Sequence, residues 1–215
     1  MFSTFAAALI AACSAGQGAS PGAGPPDLAA CLPAGTRWRA VATEDDRRRM
    51  RRWRDAWGEA LEQARAAGHS EAIAGEGALL EPDAALVGPA IPPGDYDCRT
   101  IKLGTPSSEL DPFVAYPRFR CRIAGEGDRV TFAKLDGSQR PIGRLFPDFD
   151  RRLVFLGTLQ LGDERRSHEY GADRERDMAG SLERIGDRRW RLVFPYPRFE
   201  SLVDVIELVP AGAAN

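Results

Sequence analysis

The chain has 215 residues, 43% hydrophobic and 28% charged, with a formal net charge of −2. That balance excludes wholesale disorder, and no apolar run approaches the roughly 20 residues of a bilayer-spanning helix, which excludes a polytopic helical membrane protein. Of 29 basic residues only Lys102 and Lys134 are lysines, and the 27 arginines interleave with 31 acidic residues, so no net positive field remains to bind nucleic acid.

In chain order, residues 1–13 come first. Phe5-Ala-Ala-Ala-Leu-Ile-Ala-Ala12 reads as the apolar core of an export signal, and Ile10-Ala11-Ala12-Cys13 resembles a bacterial lipobox. The expectation is a lipidated Cys13 on an exported, periplasmic protein held at the membrane by its lipid anchor only. No Lys or Arg precedes the apolar core, which leaves a secreted or soluble periplasmic product, or a misplaced start, as alternatives. Residues 14–37, rich in Gly, Pro, Ala and Ser, read as a tether.

The segment 38–76 reads as helical. Thr43 is placed to cap, and Glu44, Asp45 and Asp46 fall on the positive end of the helix dipole. Met50, Trp53, Trp57, Leu61 and Ala64 follow in steps of three and four, so one face is apolar. The spacing predicts one long helix up to Gly68, then a short one from Ser70. Its arginine-rich face is read as solvated, because acidic residues share it. Residues 77–95, with Pro82, Pro89, Pro92 and Pro93, read as a linker.

From 96 to 210 the chain reads as short strands, at 96–103, 116–123, 129–136, 139–146, 152–160, 177–184, 188–194 and 201–209. Asp136-Gly137 and Gly186-Asp187 are turn signals between them. The predicted fold class is α+β, mainly β: an antiparallel eight-stranded barrel or strongly bent sheet, with the long helix packed on its outside. The last strand is apolar on both faces, so the Trp53/Trp57 stripe is expected to cover it, with 38–210 forming one folded unit. Tyr116-Pro-Arg-Phe119 recurs as Tyr196-Pro-Arg-Phe199, which marks two bent edge positions where Pro is tolerated.

Cys98 and Cys121 lie in neighbouring strand-like segments, and an exported protein can keep a disulfide, so they are expected to pair. Cys31 is then the odd thiol, unless Cys13 carries no lipid and pairs with it. No Cys-x-x-Cys occurs and the only histidines are His69 and His168, so no metal site and no cofactor is expected.

Phosphate loops, nucleophile elbows, dinucleotide fingerprints and His-Glu-x-x-His are absent. Two places could carry function. The polar stretch 162–177 holds Asp163, His168, Asp173 and Asp177, candidate acid/base groups for a periplasmic hydrolase. Its alternating acids and arginines more often make a self-neutralising surface loop. The barrel interior is the other place: Tyr96, Phe119, Phe132, Phe146, Phe155, Trp190 and Phe194 could line a ligand cup or fill a solid core, with Tyr96, Phe132, Phe155 and Trp190 the leading cup candidates. The favoured reading is a non-catalytic module that binds a small ligand or an envelope protein, an enzyme inhibitor being one such case.

The segments Arg52-Trp-Arg-Asp-Ala-Trp57, Gly94-Asp-Tyr-Asp-Cys-Arg-Thr-Ile-Lys102, Gly137-Ser-Gln-Arg-Pro141, Leu153-Val-Phe-Leu-Gly157 and Arg176-Asp-Met-Ala-Gly180 resemble those of a bacterial envelope family, domain of unknown function 4893. The likeness runs over about residues 38–210. It implies an exported, often lipoprotein-like protein, and it carries no catalytic residues to this chain.

Overall fold

The computed structural model describes residues 37–212. The expected leader with Cys13, the tether up to residue 36, and Cys31 lie outside the described residues. Nine strands follow four short helices: α1 (Arg37–Val41), α2 (Glu44–Arg51), α3 (Trp53–Ala66) and α4 (Ser70–Glu76), then β1 (Gly94–Leu103), β2 (Phe113–Ala115), β3 (Phe119–Ala124), β4 (Thr131–Lys134), β5 (Gln139–Pro147), β6 (Arg152–Leu161), β7 (Asp177–Gly186), β8 (Arg189–Pro195) and β9 (Val203–Pro210).

All pairings are antiparallel. Strand β1 pairs with β3 along its first half and with β9 from Tyr96 to Leu103, so the meander β1-β3-β4-β5-β6-β7-β8-β9 closes into an eight-stranded barrel. Closure leaves no edge within the barrel wall. The ninth strand, β2, pairs only with the second half of β1. It is absent from the predicted set because it is three residues long and bracketed by Pro112 and Pro117, too short to show a period.

Alternation divides each strand between inside and outside. Tyr96 and Cys98 on β1, Phe132 on β4, Phe155 on β6, Leu182 on β7, Leu192 and Phe194 on β8, and Ile206 and Leu208 on β9 form the interior core. Phe132, Phe155 and Phe194 meet edge to face in sequence, with centroids 6.0 and 5.4 Å apart. Gly143 and Gly157 are directly opposed on β5 and β6. A Cβ on Gly157 would lie 2.2 Å from the Ile142 carbonyl oxygen and 2.6 Å from the Phe155 ring, so the bare backbones are what let these strands close up beneath that ring.

The outer wall carries the helices, as the apolar last strand demands. Trp57, Ala60, Leu61 and Ala64 of α3 pack on Ile101, Leu103, Val193, Val203 and Val205. Gly104, at φ +61°, lets α3 come close, since a Cβ there would sit 2.7 Å from the Ala60 Cα.

The single long helix is corrected by the structure. Arg52 leaves helical geometry (φ −97°, ψ 18°) and its N–H is shared between the carbonyls of Arg48 and Arg49. The break has a physical reason in the roundness of the wall. Met50 of α2 packs with Trp38 and Ala42 on Phe146, Val154, Leu156 and Ala179 of β5–β7, whereas α3 packs on β1, β8 and β9. A straight rod cannot follow both faces. Trp53, at the bend, is only half-buried.

The first part of the linker, residues 78–82, is tied down by Arg191, and beyond it Arg151 donates to the Ala85 carbonyl and Arg184 to those of Val87 and Gly88. Arg191 points outward from β8 yet is fully buried, and it donates to the carbonyls of Ala78, Leu79, Glu81 and Pro82 at 2.7–3.1 Å. It is paired with the buried Glu183 at 2.7 Å, beside the Trp57 ring.

Further along, the linker plugs one end of the barrel. Ile91 is buried there, the Tyr96 hydroxyl donates to Pro92 O at 2.6 Å, and Trp190 Nε1 donates to Ala90 O at 3.2 Å. Burial raises the pKa of Tyr96 to about 12, and burial likewise raises those of Tyr170 and Tyr196. The fold therefore favours these phenols neutral. That contribution is whole below the ordinary value near 10 and is lost as pH climbs from there through the raised folded values. We expect unfolding stability to fall above about pH 10, with phenolate absorbance lagging behind that of the denatured chain. Phenols titrating alike in both states would contradict it.

Candidate functional site

The end opposite the plug is open. The hairpin turn at 135–138, the β6–β7 loop and the segment 196–202 rise around a cavity of about 380 Å³ that descends to Phe194, Ile206 and Leu159. Both copies of the repeated tetrapeptide stand at this rim: Tyr116, Pro117 and Phe119 from one, Pro197, Arg198 and Phe199 from the other. Neither copy is part of a repeat unit. Each is where the chain bends over the mouth.

The polar wall of the cavity holds both lysines of the chain. On β1, Thr100 and Lys102 continue the inward register of Tyr96 and Cys98, and on β4 Lys134 continues that of Phe132. Lys102 and Asp204 are direct partners across β1–β9, and Asp204 is in turn opposite Phe194 across β8–β9. Lys134 is opposite Cys121 across β3–β4. Cys121 is bridged to Cys98, with Cα atoms 6.0 Å apart, so the disulfide joins β1 to β3 inside the barrel.

The charges are unequally matched. Lys102 is buried, and its Nζ donates to Glu200 Oε2 at 2.6 Å and to Gln139 Oε1 at 3.4 Å. Burial opposes its charge, but Asp204 and Glu200 outweigh burial and raise its pKa. Asp204 is recessed below the mouth and accepts from Ser201 Oγ at 2.5 Å; burial raises its pKa against the pull of Lys102. Lys134 stands over the Phe119 ring, Nζ 4.1 Å from the centroid. Burial and then Lys102 lower its pKa. Two residues of the rim segment, Tyr196 (φ 47°) and Glu200 (φ 68°), hold left-handed conformations without being glycine. Such backbone persists where surrounding structure over-determines it. The Glu200–Lys102 ion pair and the Tyr196 N–H bond to Leu202 O do so here.

Of the candidates in the 162–177 loop, Asp173 and Asp177 lie close together at its last turn, where the Asp177 N–H donates to Asp173 O at 2.9 Å. Asp163 is exposed. His168 is exposed too, 3.9 Å from Glu164 and not beside Asp173. Asp173 caps its own turn, accepting the Glu175 N–H, and lies 3.5 Å from Arg176. Asp177 is buried on the outer wall, accepts the Gly171 N–H at 2.8 Å, and has its pKa raised by burial. Tyr170 fastens the loop to α2: its hydroxyl donates to Asp46 and accepts the Thr43 N–H. Arg140 reinforces the loop by donating to the carbonyls of Leu161, Gly162 and Glu164. Thr43 caps α2 as the sequence predicts, and Asp46 faces inward to meet Tyr170 and Arg49.

Of the aromatic cup residues, Phe119 and Phe194 line the open cavity, Phe132 and Phe155 fill the middle layer, and Tyr96 and Trp190 pack edge to face at the plugged end, where they border a second, more open depression. Phe146 packs on the outer wall with Trp38, Met50 and Val154. Among the polar residues that line the cavity, Lys102 and Lys134 carried a signal that sequence reasoning passed over. In a chain that uses arginine almost everywhere, the two lysines both occupy inward positions of predicted strands. Among the described residues no group of His, Cys, Asp or Glu could hold a metal ion, and no helix is long and apolar enough to cross a membrane.

The family profile described as Domain of unknown function (DUF4893) matches residues 38–208, from α1 into β9. The chain belongs to that family. The match spans the helices and all the strands of this chain's barrel. No curated protein and no solved structure matches the chain.

Proposed function

We propose that this barrel is a binding module that takes one small ligand into its open mouth. The observation that carries the reading is the half-filled interior. A barrel of this size is packed solid or holds one small molecule; here aromatic rings fill one half, and about 380 Å³ is left at the other, floored by Phe194, Ile206 and Leu159 and walled and rimmed by charged and polar side chains. An apolar floor with polar groups that converge above it is the make-up of a small-ligand site. The exposure of Asp163 and His168 on the 162–177 loop favours binding over hydrolysis. Export, a lipid anchor at Cys13 and residence in the periplasm belong to the same proposal and rest on the sequence of residues 1–13.

Fluorescence titration with the uncharged dye phenylnaphthylamine tests the reading. Saturable one-to-one binding is expected. Met178 is half-buried and lines the cavity, so Met178→Trp should abolish binding while the melting temperature is unchanged or raised. Absence of saturable binding, or equal binding by the filled variant, would sink the proposal.

A further inference from the structure

The cavity contains an ammonium group without a counter-ion. Among the described residues Lys134 makes no ion pair and no hydrogen bond; its one close partner is the face of Phe119. The carboxylates that act on it are both engaged elsewhere. Asp204 faces Lys102 and accepts from Ser201, and Asp136 accepts the Arg120 N–H at 3.0 Å and lies 3.5 Å from the Arg120 guanidinium. Glu200 is held by Lys102 at 2.6 Å, and Glu175, the other acid that lines the cavity, is exposed on the β6–β7 loop. The neighbouring Arg140 supplies no negative charge and spends its guanidinium on backbone carbonyls. A cation in a recessed, partly apolar site without a partner is costly, and an anion arriving there supplies the missing one.

Below Lys134 the surface changes character at once. Leu159, Met178, Phe194 and Ile206 form the floor. Above it, Arg176 and Arg198 stand at the rim. A ligand matching this order has an acidic group near the mouth and an apolar body reaching inward. We infer that the cavity selects small amphipathic anions, with Lys134 binding the single acidic head group and the Leu159–Phe194–Ile206 floor receiving the apolar part. This rests on the ligand-binding reading above and adds the class of ligand and the residue that selects it.

Two dyes that differ only in charge test it. Anilinonaphthalene sulfonate is phenylnaphthylamine with a sulfonate added. The native chain is expected to bind the sulfonate about tenfold more tightly, as for one charge-assisted contact. Lys134→Met should erase that preference and leave the neutral dye's affinity intact, while Lys134→Arg keeps the preference. Removing an unpaired, partly buried charge does not threaten folding, so the variant is a clean one. Equal affinity of the native chain for both dyes would overturn this inference alone. So would a Lys134→Met variant that keeps the preference, or that loses both dyes together. If neither dye binds the native chain, the ligand-binding reading itself fails, and this one with it.

Discussion

Arg191→Met should lower the unfolding free energy by about 3–5 kcal/mol, the range for breaking a buried ion pair from one side. The substitution keeps most of the side chain's length, so the loss comes from electrostatics and hydrogen bonding. Glu183, itself buried, would be left without its partner at 2.7 Å. The carbonyls of Ala78, Leu79, Glu81 and Pro82 would lose their common donor, beside the buried Leu79 and Leu80. Residues 78–82 would then loosen from the wall, and with them the support for the Trp57 face of α3. Urea unfolding followed by circular dichroism measures the change. The double variant Arg191→Met/Glu183→Gln should recover part of the loss, because it removes the orphaned charge along with its partner. A single variant within about 1 kcal/mol of the native chain would show that other contacts hold the linker.

The second large effect concerns the disulfide. Cys98 and Cys121 are both fully buried and 23 residues apart, and a bridge closing a loop of that size contributes about 3 kcal/mol. The double variant Cys98→Ala/Cys121→Ala is expected to lose that amount in urea unfolding. Native protein unfolded under strong reductant should match it. The bond also has a local consequence, since Cys121 is opposite Lys134 and Cys98 lies two residues before Thr100 on the cavity wall. Without it β1 and β3 are held only by the ladder from Gly94 to Cys98, so the loss should extend to the dye preference assigned to Lys134. Peptide mapping without reductant should recover the two cysteine peptides joined; finding them separate would refute the bridge.

Much of the architecture was legible because it follows from local rules. Thr43 at a helix start, the Met50–Trp57–Leu61 spacing and the two-faced apolarity of Leu202–Val209 require a helix laid on the outside of a β wall, and Cys98 and Cys121 sit in strands that neighbour each other in sequence. The bend at Arg52 was not legible. Its cause is the curvature of the wall beneath it, from β5–β7 under α2 to β1, β8 and β9 under α3, a property of strands far along the chain. Nor could the loop candidates be judged one by one: Asp163 and Asp177 bracket the same loop, yet one faces water and the other is sealed against the wall.

The sequence by itself determined eight of the nine described strands, their order and the pairing of Cys98 with Cys121, since periodicity, turn residues and separation along the chain are local quantities. Only the tertiary structure decided which part of the interior is solid and which is hollow. Both halves are lined by the same alternation of inward residues. What separates them is where distant segments land: residues 90–92 come back to seal the Tyr96–Trp190 end, while Tyr116–Phe119 and Tyr196–Phe199 bend around the other end and leave it open above two lysines.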